Sequence, residues 1–226
     1  MSIWSRIADA LSALAAGEPL SEVFERLRTP PERSVAFAIA VIALGAKMAK
    51  ADGQVTRNEV RAFREVFHIP SSDEKSAAKV FNLARQDVAG FEDYAHRIAA
   101  MFKHEEAPLC DLLEGLFHIA VADGNYHLAE DNFLSEVSDI FGLSEREFRK
   151  IRARFVAEAE PDPYEVLGVD PDADMKTIRE AWRKAVRESH PDVMMARGVP
   201  EEAIKMAESR MIAVNRAWEE ISQTAA

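Results

Sequence analysis

The sequence predicts an all-α protein in two parts, and three observations carry that expectation. Apolar residues recur at helical spacing along most of the chain, with no run of strand-like alternation. Helix punctuation falls at intervals: Thr56-x-x-Glu59, Ser71-x-x-Glu74 and Ser144-x-x-Glu147 read as capping boxes, and Gly90 and Gly142 as stops. Residues 157–162, Ala-Glu-Ala-Glu-Pro-Asp, read as a short polar link with a proline break, which lets two units sit close without fusing into one core. The expected organisation is an amphipathic segment over 1–30, a helical bundle over 31–159 and a C-terminal helical unit over 160–226.

Ile3, Trp4, Ile7, Leu11 and Leu14 share one side of the first helix, poor in cations, so packing or self-association is its expected use before attachment to a membrane surface. The apolar run Val35 to Ala46 lies between Arg33 and Lys47 and falls short of the roughly 20 residues needed to cross a bilayer. It reads as a buried helix. The net charge of -11 disfavours nucleic acid as the main partner. Cys110 is the only cysteine, so there is no internal disulfide, and a reducing, cytoplasmic setting is expected, with peripheral attachment to the inner membrane as the lesser alternative.

Within the bundle the chain repeats itself. Lys47-Met48-Ala49-Lys50-Ala51-Asp52-Gly53-Gln54-Val55, running into Glu59, is echoed by His118-Ile119-Ala120-Val121-Ala122-Asp123-Gly124-Asn125-Tyr126, running into Glu130. Two related helical hairpins about a pseudo-twofold axis are expected. Asp52, Glu59, Asp123 and Glu130 could converge on a hard divalent cation, calcium or magnesium. Against this, Asp-Gly is a ready turn and Glu59 is explained by the capping box of Thr56. Glu130 lacks that explanation, because His127 is a poor cap. The duplicated Asp-Gly turns and their glutamates resemble the TerB domain, associated with tellurite resistance, over about residues 34 to 156. That resemblance implies a metal-binding or stress-responsive role.

In the C-terminal unit, Asp162 caps a short helix with Pro163 at its first position and Gly168 as its stop. Asp174 caps a second helix through Ser189, with Ile178, Ala181, Trp182, Ala185 and Ser189 on one stripe. Arg179, Arg183 and Arg187 recur on another face, with Lys176 and Lys184 nearby. His190-Pro191-Asp192 then breaks the helix, and a third helix opens at Pro200 and Glu201, presenting Met211, Val214, Ala217, Trp218 and Ile221. A rigid helix pair with cations at fixed spacing suits an acidic partner face, although charge spacing alone also fits a solvated surface.

These features resemble the J-domain of DnaJ-type co-chaperones, through Tyr164 to Gly168, Ile178 to Lys184, the His-Pro-Asp tripeptide and Ala217 to Ile221. The long spacer from Val193 to Pro200 is similar to that of the DjlA family. Val193, Trp182 and Ala185 stand where lysine, tyrosine and leucine are common. The resemblance implies a non-enzymatic co-chaperone that recruits a DnaK-type chaperone and stimulates its ATPase. The implied contact residues are His190, Pro191, Asp192, Arg179, Arg183, Lys184 and Arg187. The first domain would then set localisation, homodimerisation or the choice of client proteins. DjlA proteins typically carry an N-terminal membrane anchor; none is read here, and no transmembrane segment is expected. The alternative from another class is a TerB-like sensor of metal or stress with the J-domain as its output. No nucleophile motif, phosphate-binding glycine loop or histidine pair at metal spacing argues for an enzyme. With 26 acidic against 19 basic residues over 1–160, the first domain could also dock on the basic helix and mask it.

Overall fold

The computed structural model describes residues 2–27, 32–51, 66–86, 90–102, 105–122, 124, 126–156 and 162–224. Helix α1, Ile3–Ala15, starts where the Ser2 hydroxyl accepts from the Ser5 amide at 3.3 Å. Its apolar stripe, Trp4, Ile7, Ala8 and Leu11, is buried in the bundle, with Trp4 edge-on to Phe67 at 5.9 Å. That burial gives the stripe a packing role inside the molecule, with Ile3 and Leu14 half-buried at its edges. A short α2, Leu20–Arg26, follows.

Helix α3, Glu32–Ala51, is the centre of the fold. Val35 through Leu44 are all buried, and a helix that is apolar all round can only be stable when surrounded. Around it pack α1, α4 (Glu74–Gln86), α5 (Phe91–Met101), α6 (Glu106–Ala120) and α7 (Leu128–Phe141). Of the described helices none is long and apolar enough to cross a membrane. The two helices that lead into the repeated turns, α3 and α6, pack directly on one another. Helix α8, Glu145–Arg152, closes the bundle, its Ser144 hydroxyl accepting from the Glu147 amide at 3.2 Å.

Three pieces of punctuation differ from expectation. Gly90 stands at the N-cap of α5 and does not end a helix. Ser71 lies inside a 3-10 turn, Ser71–Asp73, whose cap position belongs to Pro70. Glu130 does have a local role: its carboxylate accepts from the His127 amide at 2.9 Å, closing the start of α7 from its third position. Gly142 ends α7 with a φ of 73°, as its sequence position suggested.

The C-terminal unit contains α9 (Pro163–Leu167), α10 (Met175–Glu188), a short α11 (Pro191–Ala196) and α12 (Lys205–Thr224), with a 3-10 turn at Glu201–Ala203. Val166, Leu167, Ile178, Ala185, Val214, Ala217 and Ile221 make its own small core. Trp182 and Trp218 stack at 4.9 Å across it, and the Trp182 indole N–H donates to Asn215 Oδ1 at 3.0 Å. Both rings pack against the cluster that contains Ala185 and add large apolar area to it.

The two units are nevertheless not separate bodies. Met194, Val199, Ala203, Met206 and Ala207 belong to the core of the first bundle. Val166 and Leu167 of α9, Ile178 and Ala185 of α10 and the second half of α12 build the smaller core, so two cores remain, with the segment from Met194 to Ala207 packed into the larger one.

Candidate partner-binding site

Asp174 accepts from the Thr177 amide at 2.7 Å and starts α10, the helix that carries the cations. Its apolar stripe faces α12, which leaves Lys176, Arg179, Arg183, Lys184 and Arg187 exposed together. Arg179 lies over the Trp218 ring at 5.6 Å, a cation–π contact that holds its guanidinium on the helix surface. Among the described residues the ion pair on this face is Lys184 with Glu188 at 3.9 Å, too exposed to neutralise the patch. Ser189 ends the helix with its hydroxyl accepted by the Ala185 carbonyl at 2.7 Å.

His190-Pro191-Asp192 is not an open loop. His190 is the N-cap of α11, Pro191 its first residue, and His190 Nδ1 accepts from the Asp192 amide at 3.2 Å. That bond requires Nδ1 unprotonated and turns the imidazole toward the helix start. The Asp192 side chain is 80% exposed and His190 57%, with the carboxylate 3.7 Å from the ring. The geometry places a free carboxylate at the end of the cationic face, both open to solvent. The first bundle does not cover them.

What the first bundle does cover is the reverse side. Met194, two residues after Asp192, points inward and is buried, while Val193 and Met195 point outward. Gly198, at φ +105°, ends α11; a Cβ there would meet the Arg33 side chain at 3.2 Å. Arg33 is itself held by Glu105 at 2.7 Å and lies over Phe102 at 4.5 Å. The His68 amide donates to the Glu202 carbonyl at 2.6 Å. On the other flank, Arg146 of α8 donates to the Gly168 carbonyl at 2.7 Å.

A buried ion network closes this joint. Arg210 of α12 donates from Nη2 to Asp111 Oδ1 at 2.6 Å and from Nε to Glu114 Oε2 at 2.7 Å. Arg154 donates to Glu114 Oε2 at 3.2 Å, and Arg197 lies 3.7 Å from Asp111 Oδ2. Against burial, which alone would raise it, Arg210 and Arg154 hold the Glu114 carboxyl below its ordinary value. At Asp111 burial outweighs Arg210 and raises it. A cleft of about 240 Å³ opens here between the units, reaching Lys184 and Glu188 of the cationic helix. Cys110 lies on its wall, with a thiol pushed up to about 12 by burial and by Glu147 and Asp111, which makes it an inert packing group. None of Asp111, Glu114 or Arg210 stood out in the sequence. The available signal was a charge at each core position of two otherwise apolar helix faces.

The carboxylates considered for a cation fall mostly outside this account. Asp52, Glu59 and Asp123 lie outside the described residues, and Glu130 is engaged in capping α7. Among the described residues no three ligand side chains gather as a metal site.

Over residues 162–225 the chain matches the DnaJ domain, and over residues 38–153 the family described as tellurite resistance protein TerB. It is similar to the co-chaperone protein DjlA of Vibrio parahaemolyticus, 27% identical over 228 residues that span 85% of this chain and 79% of that protein. The DjlA of Aliivibrio fischeri is 26% identical over 85% of this chain and 80% of its own length. That of Coxiella burnetii is 27% identical over 77% and 72%. No solved structure matches. The TerB match takes in more than half of the sequence, on the bundle built around α3 and α6, and the chain therefore belongs to the TerB family, with a DnaJ domain following in the same polypeptide.

Proposed function

We propose that this protein is a J-domain co-chaperone that recruits a DnaK-type chaperone and stimulates its ATP hydrolysis, without catalysing a reaction itself. The observation that carries the reading is the exposed Asp192 carboxylate at the end of an uncovered cationic helix. In this reading Arg179, Arg183, Lys184 and Arg187 attract an acidic face of the ATPase, and Asp192 pairs with a cation beside it. His190 and Pro191 hold the turn. The DnaJ match and the relatives named co-chaperone support this. The DnaJ unit is taken as 160–226, the TerB unit as 31–159, and the preceding helix as part of the bundle it packs in. The TerB unit chooses location or client. Its relatives are named for co-chaperone function, so a metal or stress sensor is not the favoured reading.

Electrostatic recognition by an exposed face weakens with salt and with charge reversal. Single-turnover ATP hydrolysis by a DnaK-type chaperone is expected to need more of the Arg183→Glu variant for half-maximal stimulation, and more of the unaltered protein as salt rises. Equal titration curves for both proteins at every salt concentration would remove the cationic helix from the reading.

A further inference from the structure

We infer that the TerB domain is the platform that holds the His-Pro-Asp turn in its working geometry, with the Met194 socket and the Asp111–Glu114 pair acting as positioning groups for Asp192. This rests on the co-chaperone reading and deepens it.

Three observations place the turn under the control of the first domain. The α11 segment is six residues, less than two turns, and a helix of that length is not stable in isolation. It needs outside support. That support comes from the TerB side: Met194 within α11 and Val199 just after it are buried in the bundle core and not in the J-domain core. The chain then leaves α11 through Gly198, seated against Arg33, and is tied again by the His68 amide at Glu202. Finally, Arg197 and Arg210 reach back to Asp111 and Glu114 on α6.

The contributions differ in kind. Burial of Met194, Val199 and Met206 supplies the attraction, since each large apolar side chain taken from water favours docking, whereas a buried ion pair returns little beyond its desolvation cost. The ion network contributes register. Arg210 meets two carboxylates one helical turn apart on α6, which fixes how far α12 can slide along it. Asp192 is two residues from Met194 on a single short helix, so a shift of Met194 in its socket moves the carboxylate with it.

The test uses the full chain and three readings: stimulated ATP hydrolysis, hydrogen exchange by segment, and rescue. Met194→Ala is expected to lower maximal stimulation by about tenfold, as small misplacements of a positioned group do. Amides of residues 191–200 should exchange faster while those of α10 and the second half of α12 stay protected. Met194→Leu should restore stimulation, because it refills the socket at similar volume. Arg197→Gln, at a half-buried position, is read in the same way if Met194→Ala does not fold. Loosened exchange at 191–200 with undiminished stimulation would overturn the inference and leave the co-chaperone reading intact. Absence of stimulation by the unaltered protein would instead sink that reading itself.

Discussion

Arg210 is a buried cation and His118 a half-buried imidazole, and the state of each is set by what surrounds it. Arg210 answers two buried carboxylates at once, so it acts as a register pin between α6 and α12. His118, one turn beyond Glu114 on α6, lies edge-on to Phe155 at 4.5 Å, and burial holds its imidazole below the ordinary value of 6.5. The sign follows from proton binding. The unfolded chain takes up this proton at a higher pH than the folded one, so the stability associated with neutral His118 is present above about pH 6.5 and is lost as pH falls toward the folded value. The midpoint of urea unfolding should therefore drop between about pH 7.5 and pH 5.5, and His118→Leu should flatten part of that drop. An unchanged slope in the variant would show that other groups carry it.

At the scale of elements, helix boundaries set by Ser, Asp, Pro and Gly chemistry were legible, because those residues act within one turn of their own position. Asp162, Asp174, Ser144 and Gly142 are examples. Glu130 was misjudged because its value as a capping carboxylate does not depend on His127 having a good side chain. The short α11 lies within what the sequence shows only as a spacer, since six residues starting at a proline give too little periodicity to reveal a helix whose support comes from elsewhere. Long-range partners are likewise invisible in sequence: nothing local says that side chains of α3 and α12 both press on Gly115 of α6. A Cβ at Gly115 would meet Val41 Cγ2 at 3.3 Å and Met206 Cε at 3.5 Å. Gly115→Leu is therefore expected to destabilise the protein by about 1–3 kcal/mol in denaturant unfolding, from overpacking at the joint. A loss as small as that of an exposed helix substitution would mean that α12 does not seat there.

For the whole molecule, the two domains recognisable in the sequence share a boundary that the sequence could not display. The apolar residues that cross it, Met194, Val199, Ala203 and Met206, read as ordinary content of a J-domain spacer and helix, and only the fold assigns them to the other core. The same arrangement answers the question of masking. The acidic first domain grips the back of the His-Pro-Asp turn and the lower half of α12, and leaves the cationic side of α10 open. Removal of residues 1–160 is thus not expected to unmask activity. Charge complementarity within the chain is used locally, at Arg146, Arg197 and Arg210, and the stripe of arginines remains turned outward. The central claim is that this outward face, ending in Asp192, acts on a DnaK-type ATPase. Its most direct test is single-turnover ATP hydrolysis by such a chaperone with the full chain and with Asp192→Asn, an isosteric change at a side chain that makes no buried contact. The account predicts clear acceleration by the unaltered protein and its loss in the variant; equal acceleration by both, or none by either, would contradict it.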